Sequence, residues 1–179
     1  MSKKNELLTR ATVVCVAALF ANAATAQAVI SLDSVQARVG ESVTVPLTIF
    51  GSPVSSGFNA EIRVPQSTAI TSISGGSLIN SGFSLNSNLN QQEARVLAYS
   101  SASTFSGDGD LADVQIQIGQ DAMPGIYMLE VSAVNPDPLV NSRYALSNTD
   151  GLTSLPVSGQ NGSIYIYSFS SDFDGDELP

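Results

Sequence analysis

The chain has 179 residues, seven Lys and Arg against sixteen Asp and Glu, a formal net charge of −9, no His, no Trp and one Cys. That acidity excludes nucleic acid, whose phosphates demand basic surface, and a lone Cys excludes an internal disulfide framework. What remains is long enough to bury one ordinary hydrophobic core.

The first residues carry Lys3, Lys4 and Arg10, and the stretch that follows is apolar from Ala11 to Ala23 apart from Thr12 and Asn22. Ala24-Thr25-Ala26 then offers small residues at the two positions a signal peptidase reads, so residues 1–26 are expected to be a cleaved secretory signal. The apolar run is too short for a spanning helix, and no membrane insertion is expected after cleavage. Thr12-Val13-Val14 ahead of Cys15 lacks the small residues of a lipoprotein signal. Removing Lys3, Lys4, Arg10 and Glu6 leaves four basic and fifteen acidic residues, a net charge of −11, and the only cations left are Arg38, Arg63, Arg95 and Arg143. So acidic a surface argues against an anionic membrane face as well.

Past the signal, Ala28-Val29-Ile30-Ser31-Leu32 reads as a short strand that ends at Asp33-Ser34. From Ser42 the chain alternates without a miss: Val43, Val45, Leu47 and Ile49 face one way, Ser42, Thr44, Pro46 and Thr48 the other. Pro46 has no N–H for a ladder, which predicts a sheet edge there or a break where the strand changes sheets. Gly51 to Gly57 is a loop by composition, and Phe58, Ala60, Ile62 and Val64 then alternate with Asn59, Glu61 and Arg63. Ile70 and Ile73 mark a weaker strand, and Ser74 to Gln92 is rich in Gly, Ser and Asn, with Phe83 and Leu85 as its best core residues.

Ala94 to Tyr99 is apolar on both faces except for Arg95, which suits a central strand. Ser100 to Gly109 reads as a loop, followed by alternation of Ala112, Val114, Ile116 and Ile118 with Asp113, Gln115 and Gln117. Pro124-Gly125 turns into Tyr127, Leu129, Val131 and Ala133, with Met128, Glu130 and Ser132 opposite. Asn135 to Val157 is irregular, Asn161-Gly162 is a tight-turn dipeptide, and Ile164 to Tyr167 closes the chain's last strand. No stretch longer than two turns shows a helical period outside the signal. The pattern is an all-β sandwich of about eight to ten short strands.

Five pieces in this order resemble the cohesin family: Val39-Gly40-Glu41-Ser42-Val43-Thr44-Val45-Pro46-Leu47, a Ser-Gly loop into an alternating strand, Gly109-Asp110-Leu111-Ala112-Asp113-Val114-Gln115-Ile116, Pro124-Gly125-Ile126-Tyr127, and Asn161-Gly162-Ser163-Ile164-Tyr165-Ile166. The likeness runs from Ala28 to Tyr167 and implies a jelly-roll β-sandwich of about nine strands over residues 27–168, akin in fold to some carbohydrate-binding modules. The implied role is non-catalytic docking of a dockerin module on one flat sheet face. Where the family has Tyr-Asp-Pro after the third main strand this chain has Val64-Pro65-Gln66, and the acids common after the central strand are Ser100 and Ser101 here. The implied face holds Asn59, Glu61 and Arg63 on one strand, Met128, Glu130 and Ser132 on another, and Arg95, Leu97 and Tyr99 between them. An exposed Leu and Tyr ringed by polar groups would anchor a partner. The same pair would instead be core if the Ser74–Gln92 stretch covered them.

Other chemistry is thinly supplied. After the signal the only general acids and bases are Asp, Glu and Tyr, and nothing singles out a carboxylate pair, so no catalysis is expected. A polysaccharide-binding module is the rival reading because the fold is shared. It lacks Trp, and its platforms would be Tyr144, Tyr165 and Tyr167, with Tyr99 and Tyr127 kept for core or interface. A structural or adhesive surface module is the third reading. Asp108-Gly109-Asp110 with Asp113 is either a cation loop or, more simply, a hairpin turn. Asp172, Asp174 and Asp176, in residues 169–179, have the spacing that opens a calcium loop and resemble the DxDGD calcium repeats found after exported bacterial domains. No later ligand follows them, so the segment is an acidic tail or a truncated loop.

Two expectations are testable at once. N-terminal sequencing of secreted protein should give a start at Gln27, and a start at Cys15 would overturn the cleavage site. Titration calorimetry should show calcium binding weaker than the micromolar range of complete sensor loops, because three carboxylates fall short of the six to eight oxygens calcium takes.

Overall fold

The structure, a computed structural model, describes residues 27–132, 145–151 and 153–168. The signal, Tyr144 and the trio Asp172, Asp174 and Asp176 lie outside the described residues. Thirteen strands follow in chain order among the described residues: β1 (Ala28–Leu32), β2 (Val35–Arg38), β3 (Ser42–Ser55), β4 (Gly57–Arg63), β5 (Thr68–Gly75), β6 (Ser84–Asn90), β7 (Glu93–Tyr99), β8 (Phe105–Ile118), β9 (Gly125–Ser132), β10 (Ala145–Ser147), β11 (Ser154–Leu155), β12 (Val157–Gln160) and β13 (Gly162–Tyr167). None of the described residues is helical, so no helix among them is long and apolar enough to cross a membrane.

The strands form two sheets. One runs β12-β1-β3-β8-β5. In the other, β4 pairs with β7 along one whole side, while its second side is shared by β10 near Gly57–Asn59 and β9 near Glu61–Arg63. The sheet extends to β6 beyond β7, to β11 beyond β10, and to β13 and β2 beyond β9. Alternation delivers the core: Val45, Leu47, Ile49, Val114 and Ile116 from the first sheet meet Phe58, Ala60, Ile62, Val96, Leu129 and Ile164 from the second, each no more than 1% exposed. Val131 is buried with them, and Val43, nearer the rim, is only partly covered.

β3 is an interior strand, between β1 and β8, and does not change sheets, but Pro46 itself lies just past the end of β1, where that side of β3 is locally an edge. The pairing with β1 involves Leu47 to Phe50 only, and beyond it the Pro46 carbonyl accepts a single bond from the Asp33 N–H at 3.1 Å. In a strand a residue's nitrogen and carbonyl point the same way, so the proline nitrogen faces the side where β1 has already ended. No ladder bond is lost.

The expected loop at Gly51 to Gly57 is strand for most of its length. β3 continues against β8 through register shifts after Leu47, Ile49 and Ser52, with Gly51 at φ 64° absorbing one of them. Asp108-Gly109-Asp110 is no hairpin either, since it lies within β8, and Asp108 Oδ1 accepts the Gly51 N–H at 2.7 Å. Asn161-Gly162 makes a crossing between sheets rather than a hairpin: β12 pairs with β1 in the first sheet and β13 with β2 in the second, both in parallel. The chain therefore crosses twice side by side, at Asp33-Ser34 and at Asn161-Gly162, and the Ser163 hydroxyl lies 2.9 Å from that of Ser34. A Cβ on Gly162 would sit 2.4 Å from the Leu32 carbonyl oxygen, so the crossing needs glycine for room.

Core truncation should show this packing. Val45→Ala or Ile116→Ala is expected to cost about 1–4 kcal/mol, read as a lowered midpoint of denaturant unfolding with a strand-dominated far-ultraviolet spectrum retained.

Candidate functional site

Because the second sheet buries only one of its faces in the sandwich, every side chain of opposite parity is left outside. On β7 the buried residues are Ala94, Val96 and Ala98, and the exposed ones are Glu93, Arg95, Leu97 and Tyr99. Register carries this parity across the sheet. Tyr99 lies opposite Gly57, Leu97 opposite Asn59, Arg95 opposite Glu61 and Glu93 opposite Arg63. On the far side of β4, Arg63 lies opposite Glu130 and Glu61 opposite Ser132. All eight residues expected on the partner-binding face, Asn59, Glu61, Arg63, Arg95, Leu97, Tyr99, Met128 and Glu130, thus lie on one surface. The Ser74–Gln92 stretch does not cover Leu97 or Tyr99, which are 41% and 53% exposed.

The middle of this surface is an ion-pair band. Arg63 Nη2 donates to Glu61 Oε1 at 3.1 Å, and Arg63 Nε lies 3.0 Å from Glu93 Oε1. That Nε is sealed from solvent and has no aligned acceptor, so its attraction to Glu93 is one of charge rather than a directed bond. Arg95 Nε donates to Asn59 Oδ1 at 3.2 Å. Pairs this exposed add little stability, and their effect is to hold long side chains down against the sheet.

Apolar groups lie at two diagonal corners of the face. Leu97 and Tyr99 form one, beside an open hollow of about 510 Å³ whose other walls include Ser56, Ser100, Ser147, Thr149 and Asp150. Ser100, at a position where the family resemblance leads one to expect an acid, caps the turn here: its hydroxyl accepts the N–H groups of Ala102 and Ser103. The other corner holds Met128, Ile126 and Tyr165, which are 56%, 77% and 45% exposed, with Ile126 directly opposite Tyr165. At a rise of about 3.3 Å per residue the two corners are roughly 25–30 Å apart.

Sequence reasoning missed Ile126, next to the Pro124-Gly125 turn, although it shares the parity of Met128 and Glu130. Tyr165 figured only as a sugar platform. Its ring stacks on Tyr167 at 6.0 Å and 26°, and the Arg38 guanidinium lies 5.8 Å from the centre of the Tyr167 ring. Tyr127, by contrast, turns inward, half-buried, with its hydroxyl donating to the Met123 carbonyl. Arg38, Arg63 and Arg95, every basic residue among those described, share this outward face. Among the described residues no three carboxylates converge as metal ligands, and Asp108, Asp110 and Asp113 are strung along β8 instead.

A model of the cohesin domain matches residues 28–151. No curated protein matches. Among solved structures the chain is similar to a non-cellulosomal cohesin from the hyperthermophilic archaeon Archaeoglobus fulgidus, with 21% identity, a TM-score of 0.66, and coverage of 80% of this chain and 93% of that one. A type I cohesin–dockerin complex from Clostridium thermocellum matches at 16% identity and a TM-score of 0.65, over 79% of this chain and 99% of the other. The sixth cohesin of scaffoldin B from Acetivibrio cellulolyticus, solved with a Cel5 dockerin, matches at 18% identity and a TM-score of 0.65, with the same 79% and 99% coverage. Those likenesses give the fold, the domain match gives the lineage, and the chain belongs to the cohesin family.

Proposed function

We propose that the protein is a non-catalytic docking module that captures a dockerin-type partner on the outward face of β7, β4, β9 and β13. The observation that carries this reading is the exposure of Leu97 and Tyr99 on an interior strand, where burial would be the default for an apolar pair. Cohesins of the same fold have been solved with dockerins bound. Two apolar corners joined by a charged band suit such a contact: the corners supply buried area, and the band supplies register and orientation. A partner covering both corners spans enough surface for an interface of ordinary size, about 800 Å² per side. The secretory signal expected over residues 1–26 would place this binding outside the cell. Calcium at Asp172, Asp174 and Asp176 is a separate expectation, carried by their spacing alone.

Replacing Leu97 and Tyr99 together by Ala should weaken capture of a matching dockerin by about thirtyfold or more, the scale of a hot-spot loss. The melting temperature should stay close to the parent's, because both side chains are outside the core. Undiminished capture would remove these two residues from the site. Collapse of the melting temperature would return them to the core. Retained binding of insoluble polysaccharide, with no dockerin captured by the unmodified protein, would favour the sugar-binding reading.

A further inference from the structure

The strand β6 ends the second sheet, and its outer edge is unlike the edges that proteins usually leave free. Parity shows which backbone groups face outward. Val64 N–H donates to Gln92 and Ser100 N–H to Ser56, so the even-numbered residues of β7 bond toward β4 and the odd-numbered ones toward β6. Through the register Arg95–Asn88 and Leu97–Asn86, it is the even-numbered residues of β6 that bond to β7. The N–H and C=O groups of Leu85, Ser87 and Leu89 therefore point away from the sheet. Among the described residues none of these groups has a backbone partner outside the β6–β7 ladder; the nearest such bonds lie at its two ends, from Phe83 N–H to the Asn80 carbonyl and from Ile70 N–H to the Gln91 carbonyl.

Natural edges are blunted by charge, proline or a bulge. Ser84-Leu85-Asn86-Ser87-Asn88-Leu89-Asn90 has no charge and no proline, in a chain of net charge −9, and its pairing with β7 has no register shift. Beside it in the other sheet, the edge strand β5 is uncharged too, but its register shifts between Ile70 and Ser72. The uncharged flank of the sandwich therefore offers one regular edge. The sequence of that edge is also symmetrical about Ser87, with Asn on either side and Leu beyond. An antiparallel copy centred on Ser87 puts Leu85 opposite the second Leu89, Asn86 opposite the second Asn88, and Ser87 opposite itself. Leu89 is 37% exposed in the single chain.

We propose that β6 is a self-pairing edge: two copies of the chain join antiparallel across Ser87 into one continuous sheet. Leu85, Ser87 and Leu89 of each copy exchange both backbone bonds with the facing strand. Asn86 and Asn88 form the intervening close pairs, where side chains approach most nearly. The two-fold axis is perpendicular to the sheet, as an isologous contact requires. Uncharged side chains at the seam let two acidic molecules approach without like charges in contact.

Sedimentation equilibrium of the full chain over a wide concentration range, with no dockerin present, tests this independently of any docking function. The unmodified protein should show a concentration-dependent dimer. Asn86→Glu with Asn88→Glu sets like charges opposite each other and should raise the dimer dissociation constant by about tenfold or more. Asn86→Lys with Asn88→Glu sets opposite charges in the same two positions and should restore the dimer, an outcome that only the Ser87-centred register predicts. Ser87→Pro deletes an outward N–H without touching the β7 ladder, and should leave a folded monomer as judged by its melting curve. A protein that stays monomeric at every concentration, or a dimer indifferent to the charge-paired variants, would overturn the proposal.

Discussion

The cross-strand register of β4 on β7 governs both sides of this molecule. Phe58 opposite Ala98, Ala60 opposite Val96 and Ile62 opposite Ala94 build one wall of the core, and all six are no more than 2% exposed. The neighbours of those residues have no choice of face, because successive side chains in a strand leave opposite sides of the sheet. A slip of one residue would bury Arg95 and Glu61 and expose Val96 and Ala60, an exchange no sandwich tolerates. The outward array of Leu97, Arg95, Asn59, Glu61 and Arg63 is thus held in place by the packing energy of a core it does not touch. Ala94, Ala98 and Ala60 keep that wall thin where the first sheet brings the larger Leu47, Ile49 and Ile116, so the two sheets interdigitate rather than collide.

This coupling explains what was legible in the sequence. Wherever alternation was clean, as in Phe58–Val64 and Ala112–Ile118, strand, face and core were read together; Ala94–Tyr99, apolar on both faces, was legible as a strand but left Leu97 and Tyr99 open between face and core, and the eight expected face residues came out on one surface. Composition misled where tertiary packing overrides local preference. Gly51 and Pro53 suggested a loop, yet β8 follows β3 through that stretch because bulges take up the irregularity. Asn161-Gly162 suggested a hairpin, and the same local flexibility serves a crossing instead, since close approach to the Leu32 carbonyl is what demands glycine. β6 was invisible for a different reason. Six of its seven side chains are exposed, so it shows no apolar alternation to read, and it is held as a strand by its ladder to β7. Ile126 was missed because it is the first side chain after the Pro124-Gly125 turn, with nothing before it to fix its face.

Charge is distributed with the same economy. The chain is strongly acidic, yet Arg38, Arg63 and Arg95 all emerge on the outward face of the second sheet. Glu61 and Glu93 hold Arg63, Asn59 holds Arg95, and Arg38 lies against the Tyr167 ring. Pre-paired guanidiniums lose less freedom when a partner arrives than free ones would, and Arg tolerates the desolvation of a contact better than Lys does. Among the described residues the outer face of the first sheet has no such device: along β3 and β8 it presents Ser42, Thr44, Gln115 and Gln117, which bond to one another across the strands. Glu61, Glu93 and Glu130 balance the three Arg on that face, so a partner meets paired charges of both signs there and is oriented by their pattern rather than drawn by a net field.

The position of β6 ties the two proposals together in space, although each stands on its own observation. β6 borders β7, so a seam along β6 would lie one strand away from Leu97 and Tyr99. A two-fold axis perpendicular to the sheet keeps both outward faces on the same side of the enlarged sheet, where an axis in the sheet plane would turn them back to back. Two docking faces side by side convert a second capture into a local event whenever the partner is itself repeated or fixed on a surface. The gain in avidity then comes from effective concentration and needs no new contact. Such a geometry tolerates weak individual faces, because two contacts formed together hold longer than either alone.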